Sequence, residues 1–263
     1  MTSIDERLVR EKAAEHGVPD AVARELTARS RPCLYLVPHG DLPESRRKDA
    51  RPAARAGGLP ALPDGVDWPA GKGPLVLSVD CGALPRGALD IELPADGHLL
   101  FFTEIEYPPD SAMVLHVPVG TPTTERAATY EFDGEPMQVK VYAPQTLYPL
   151  AGLTVDEDWR ESPATRAFLD EGGKDDENDD VLDSFEEAVL AAASDGRRPG
   201  VTVQVGGFSQ SWDMAPDEGD LVLLAQLAGQ AIDYDVRTMN LIVGTRQDIA
   251  ARRYADLQFE QQC

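Results

Sequence analysis

The chain is poor in the residue types on which most recognisable chemistry rests. Its 263 residues include three cysteines, Cys33, Cys81 and Cys263, and four histidines, His16, His39, His98 and His116. No cysteines form a CxxC pair and the histidines show no ligand spacing, so neither a zinc site nor a disulfide framework is expected. Basic side chains are also scarce: 24 lysines and arginines stand against 46 aspartates and glutamates, a net charge of −22. So acidic a surface repels phosphate backbones and anionic headgroups, which argues against nucleic-acid binding and membrane association. No apolar run approaches the roughly 18 residues of a membrane helix. The segment MTSIDERLVREKAAEH carries no apolar signal core, and a cytoplasmic location is expected. Catalytic signatures are missing too. G-x-S-x-G, G-x-G-x-x-G and G-x-x-x-x-G-K do not occur, and no cysteine lies in an electropositive context.

What the chain does have is a repeated pattern. From Gly57 runs GGLPALPDGVDWPAGKGPLVLSVDCGALP, followed after a spacer by DGHLLFFTE. From Gly206 runs GGFSQSWDMAPDEGDLVLLAQLAG, followed by TMNLIVG. Each copy opens on Gly-Gly, passes a loop holding a tryptophan, and ends in two apolar runs. The expectation is an internally duplicated β unit.

The remaining elements follow in order. Ser3 to Glu6 reads as a capping box ahead of a helix with Ile4, Leu8 and Val9, ended by Gly17. Pro19 opens a second helix with Val22 and Leu26 on one face, which makes an N-terminal helical hairpin over residues 1–30. Cys33 to Val37 is a strand. Pro38 to Ala56 is polar and holds the only positive cluster, Arg46, Arg47, Lys48, Arg51 and Arg55, read either as a solvated loop or as an anion contact. Leu75 to Val79 and Leu99 to Phe102 are buried strands, and Met113 to Val119 alternates as a half-buried one. Asp133-Gly134 between two short runs marks a hairpin. Val201 to Val205, Leu221 to Leu227 and Met239 to Val243 are further strands. Thr245 to Asp248 caps a short helix through Tyr254, and Leu257 to Phe259 close the chain as a strand.

Charge is concentrated between Asp156 and Glu187, where fourteen acidic residues face three basic ones. This acidic insert, taken as residues 156–198, holds two helices, Pro163 to Leu169 and Val181 to Ala193. The second carries Leu182, Phe185, Val189 and Ala192 on one face. The run GGKDDENDD between them is expected to be a mobile or partner-dependent loop.

Two constellations can be tested for chemistry. Asp175, Glu177, Asp179, Asp183 and Glu186 occupy positions 1, 3, 5, 9 and 12 of a calcium loop, although Asp180 stands where that loop needs glycine. The alternative is a solvated acidic loop. Trp68 and Trp212 hold similar places in the two copies. They either plug the ends of a sheet or form the stacking wall of a cleft between the copies, with Asp67, Asp213 and Gln226 as polar contacts.

The segments Gly57–Pro69, Pro74–Pro85 and Leu93–Phe102, with the Gly206 loop, Leu221–Gly229 and the closing strand–helix–strand, resemble the YwqG-like family of bacterial proteins of unknown function. The likeness spans Cys33 to the end, less the acidic insert. Ser78 stands where the family pattern tends to have glutamine, and Gln226 keeps that residue in the second copy. The resemblance implies a mixed α+β fold with a duplicated β unit and carries no activity with it.

The fold class expected is α+β, mainly antiparallel β: a helical hairpin on a body of residues 31–263, with β halves at about 31–150 and 200–263. The leading functional expectation is a non-catalytic binding or interaction protein, in one version an immunity-like inhibitor of a basic protein partner. The alternative is a small-ligand binder or enzyme with a cleft between the two halves.

Overall fold

The structure, a computed structural model, describes residues 6–69, 73–107, 112–171, 175–196, 199–200 and 203–263, excepting the side chains of Glu157 and Asp175. Ser3 and Ile4 of the capping box, Gly172 to Lys174 of the acidic run and Val201 lie outside the described residues. The N-terminal hairpin forms as α1 (Glu6–His16) and α2 (Asp20–Ala28), followed by β1 (Ser30–Val37), a short α3 (Glu44–Arg47) and β2 (Ala54–Ala56). Then come β3 (Ala61–Pro63), β4 (Leu75–Asp80), β5 (His98–Phe102), β6 (Met113–Val117), β7 (Thr123–Glu125), β8 (Thr129–Phe132), β9 (Glu135–Gln138) and β10 (Gln145–Val155). The acidic insert gives α4 (Pro163–Leu169) and α5 (Asp175–Ala193). The chain closes through β11 (Val203–Gly206), β12 (Leu221–Ala228), β13 (Met239–Thr245), α6 (Arg246–Ala250) and β14 (Gln258–Gln262).

Ten of these strands form one antiparallel sheet in the order β14-β13-β12-β11-β1-β10-β2-β4-β5-β6. The order is symmetric about the central pair. Outward from β1 run β11, β12, β13 and β14; outward from β10 run β2, β4, β5 and β6. The registers match as well. Arg55 pairs with Ser78 and Ala56 with Leu77, while Gln204 pairs with Gln226 and Val205 with Ala225. One residue after Ala56 and Val205 the chain turns through Gly57-Gly58 and Gly206-Gly207, all four at positive φ, where glycine carries no Cβ penalty.

The sheet curls so that its two wings share one apolar core. Leu34 and Leu36 at the centre, Val76, Leu77, Leu99 and Phe101 from one wing, and Val205, Val222, Leu224, Leu227 and Ile242 from the other form one contiguous buried cluster. Polar links stitch the wings together. Thr238 Oγ1 donates to Ile105 O at 2.8 Å, Gln261 Nε2 to Glu104 O at 3.2 Å, and Arg246 pairs with Asp90 at 2.5 Å. The expectation of a cleft between the halves is therefore corrected: that space is packed with aliphatic and aromatic side chains.

The apolar pattern does not predict the central strand β10, because Pro149 and Gly152 interrupt it. Both are accommodated. Leu147 gives its carbonyl to Ala53 N–H at 3.0 Å, and Pro149, two residues on, directs its nitrogen the same way, past the end of the pairing with β2. Gly152 leaves room for Tyr35, whose ring carbon would stand 2.3 Å from any Cβ there.

The helices cover the end of the central strands. Val9, Ala13, Val22, Leu26, Leu153, Trp159, Leu182, Phe185, Val189 and Leu190 form a second buried cluster. Three of the expected apolar positions of α5, Leu182, Phe185 and Val189, are fully buried; Ala192 is partly so. Each buried large side chain is worth roughly 1.5–3 kcal/mol. That gain holds a helix whose opposite face carries carboxylates. The expected loop over the acidic run is corrected for the described part, since α5 already begins at Asp175. Carboxylates in the first turns of a helix are stabilised by its positive end, so polarity alone did not mark a loop.

Smaller expectations also shift. Asp133 (φ 51) and Gly134 (φ 81) form the expected tight turn, but its strands are β8 and β9 alone and end at Gln138. The Thr245 hydroxyl caps α6 by accepting from Asp248 N–H at 3.1 Å, but the helix stops at Ala250 rather than reaching Tyr254.

Candidate functional site

The five residues expected around an inter-half cleft do not converge. Trp68 sits on the outer face of the β2-side wing. Its Nε1 donates to Gly73 O at 3.1 Å and its ring meets Phe102 edge-on at 5.7 Å, within an outer cluster of Leu62, Leu75, Leu100, Phe102 and Val117. Asp67 beside it is exposed. Trp212, Asp213 and Gln226 lie on the outer face of the other wing, where Trp212 is 50 % exposed. The two tryptophans therefore occupy separate outer faces.

Gln226 is part of a glutamine lattice that straps a loop across that second outer face. Gln204 Nε2 donates to Gly206 O at 2.8 Å and Phe208 O at 2.9 Å. Gln226 Oε1 accepts from Gln210 N–H at 2.7 Å. Gln262 Oε1 accepts from Trp212 N–H at 2.7 Å, and its Nε2 donates to Met214 O at 3.0 Å. Gln204 and Gln226 are buried, so each amide satisfies backbone groups that would otherwise be costly to leave unpaired.

The topologically equivalent face of the first wing is built differently. Arg55 takes the place of Gln204 and performs the same tie: its Nη2 donates to Leu59 O at 2.6 Å. Ser78 takes the place of Gln226, and its short side chain bonds no loop amide among the described residues. The ribbon of β3 and β7 lies over this face with Leu62 buried beneath it. Between ribbon and sheet a cavity of about 320 Å³ opens, lined among others by Ala53, Arg55, Ser78, Asp80, His98 and Glu125. A second cavity of about 740 Å³ shares Asp80, His98 and Thr123 with it and extends past Arg51 and Asp96. Together they form one cleft.

Register explains why its polar groups meet. Arg55 faces Ser78 across one strand boundary, and Asp80 faces His98 across the next, so alternation brings all four to the outer side. Arg55 Nη1 also meets Glu125 Oε1 at 3.1 Å, an ion pair exposed enough to contribute little. Asp80 Oδ1 accepts from Gly82 N–H at 3.0 Å. The positive cluster of the sequence thus divides. Arg51 and Arg55 line the cleft. Arg47 holds the carbonyls of Gly40 and Leu42 at 2.7 and 2.9 Å, and Arg46 pairs with Asp195. The cleft was missed in the sequence, although the serine opposite a basic residue, in a register that elsewhere pairs two glutamines, was its signal.

The acidic residues considered for calcium are helical. Arg160 lies among three of them, with Asp179 at 2.9 Å, Asp183 at 2.5 Å and Glu186 at 3.1 Å. Trp159 Nε1 also donates to Glu186 at 3.2 Å. Burial works against the Arg160 charge, but its bonds to Asp183 and Glu186 win and raise its pKa. Glu177 is exposed. The loop geometry that motivated calcium is thus corrected: these positions wind along α5, and a guanidinium already compensates three carboxylates. Among the described residues no three His, Cys, Asp or Glu side chains form a metal-binding group, and no helix is long and apolar enough to cross a membrane.

These features define an α+β protein with a curled antiparallel sheet, one strapped outer face and one open, polar-lined outer face. The chain belongs to the family described as a domain of unknown function, DUF1963, whose model matches residues 54–263. A search of curated proteins finds no match.

Proposed function

We propose that the chain is a non-catalytic binding protein whose small, polar ligand enters the outer-face cleft above Ser78. One observation carries this reading. The Gln204–Gln226 pair of one wing closes its face with a loop, whereas the Arg55–Ser78 pair of the other supports a roofed cavity. The cavity volumes fall in the range of about 300–1,000 Å³ typical of small-ligand sites. The absence of catalytic motifs from the sequence supports binding rather than turnover. The likeness to the YwqG-like group supplies no activity of its own. Native mass spectrometry of protein purified gently from its host tests the reading. The wild-type chain should retain a small mass increment that Ser78→Gln loses. An increment that survives Ser78→Gln would remove the cleft as the site.

A second reading, docking of a basic protein partner as in an immunity-like inhibitor, is favoured by the exposed Asp176 and Asp180 on α5 and the net charge of −22. The same spectrum distinguishes it: a bound basic protein lost on adding salt would support docking in place of small-ligand binding.

A further inference from the structure

Building on the cleft as ligand site, we infer that its ligand is a zwitterion of dipeptide size, carboxylate toward Arg55 and ammonium toward Asp80. The cleft is bipolar along β4. At one end stands Arg55, whose guanidinium has five N–H donors. One goes to Leu59 O and one to the weak, exposed pair with Glu125, so among the described residues donors remain for an incoming carboxylate. At the other end stands Asp80, with Oδ1 on Gly82 N–H, and the exposed Asp96 borders the connected cavity. Arg51 also lines that cavity, but Asp80 and Asp96 outnumber it, so an ammonium group suits that end better than a second anion.

Spacing selects the length. Arg55 pairs with Ser78, and Asp80 lies two residues further along β4. With about 3.4 Å per residue and about 4.8 Å between strands, the two anchoring backbone positions stand roughly 8 Å apart. The Arg55 guanidinium lies against Gly58 and Leu59 O, on the side away from Asp80, so the charged anchors stand farther apart than their backbones. A dipeptide, one peptide unit longer between its charged ends than a free amino acid, suits that gap better. Between the anchors the floor is Ser78, with Ala53 alongside. Small residues leave room for a peptide backbone and give the Ser78 hydroxyl as a hydrogen-bonding partner.

The test is calorimetric titration with four probes: L-alanyl-L-alanine, L-alanine, acetate and methylammonium. The dipeptide should bind at least tenfold more tightly than each of the others. Asp80→Asn keeps the bond to Gly82 but removes the charge. Arg55→Gln installs the residue that performs the same tie in the other wing. Each should weaken dipeptide binding about tenfold or more, and Ser78→Gln should abolish it. Acetate binding as tightly as the dipeptide, with both lost in Ser78→Gln, would overturn the zwitterion while leaving the cleft as the site. Dipeptide binding unchanged by Ser78→Gln would overturn the cleft itself. No heat from the dipeptide at 10 mM would overturn the inferred ligand class.

Discussion

Exchanging the residues at the two equivalent register positions separates a strapped face from an open one. In Gln226→Ser the Gln210 N–H loses the acceptor it now has at 2.7 Å. Gln210 is partly buried, so leaving its donor unpaired costs toward the lower end of the roughly 1–3 kcal/mol of a buried one. Shortening the chain by one buried methylene adds about 0.8 kcal/mol. The expected loss is therefore about 2–3 kcal/mol, a large share of the roughly 5–15 kcal/mol available to a typical fold. In the reciprocal Ser78→Gln the longer side chain enters the cleft rather than a packed interior, so the expected change is within about 0.5 kcal/mol. Urea unfolding followed by tryptophan fluorescence reads both variants. Equal costs for the two, or no cost for Gln226→Ser, would refute the argument that one face is tied shut and the other stands open.

Three further outcomes follow from the packing. At pH 8 the native chain should react with Ellman's reagent at one thiol, the exposed Cys263, and at three once unfolded. Cys33 and Cys81 are buried, and burial together with Asp80 pushes the Cys81 thiol up to about 11. Stability should fall above pH 9. The unfolded chain loses the Cys81 proton near 9.0 and that of Tyr254 near 10.0, whereas burial, helped for Tyr254 by a charge at Cys81, holds them in the fold to about 11 and about 12. The folded state thus binds more protons between pH 9 and 12, and each group contributes a slope of at most about 1.4 kcal/mol per pH unit. A urea midpoint that stays flat from pH 8 to 10.5 would contradict this. Gly152→Ala should destabilise by about 1–3 kcal/mol or more by driving a methyl into the Tyr35 ring, measured by the same unfolding assay.

Elements whose stability comes from a simple apolar pattern were legible in the sequence. β4, β5, β12 and β13 announced themselves as continuous aliphatic runs, and the α5 stripe of Leu182, Phe185 and Val189 at helical spacing. Elements held by their surroundings were not legible. β10 contains a proline whose missing N–H matters only if a partner strand reaches it, and a glycine required by a tyrosine more than a hundred positions away in the chain. β3 and β7, of three residues each, are too short to show a period. The acidic start of α5 looked like a loop because its helix-favouring placement of charge is indistinguishable, in sequence, from a solvated run. The site shows the same division. Trp68 and Trp212 hold similar places in the sequence, each in a loop after a Gly-Gly pair. What the loops could not reveal was the curl of the sheet, which turns both outward and fills the space between the wings. The informative difference lay instead between Ser78 and Gln226.

The most direct measurement is an amide shift map of the isotopically labelled chain during titration with L-alanyl-L-alanine. The account predicts shifts confined to the strand positions around Arg55, Ser78, Asp80 and His98 and to the β7 roof, vanishing in Ser78→Gln. Shifts on the outward face of α5 or on the Gln210–Met214 loop instead, with the Ser78 surroundings unmoved, would contradict it.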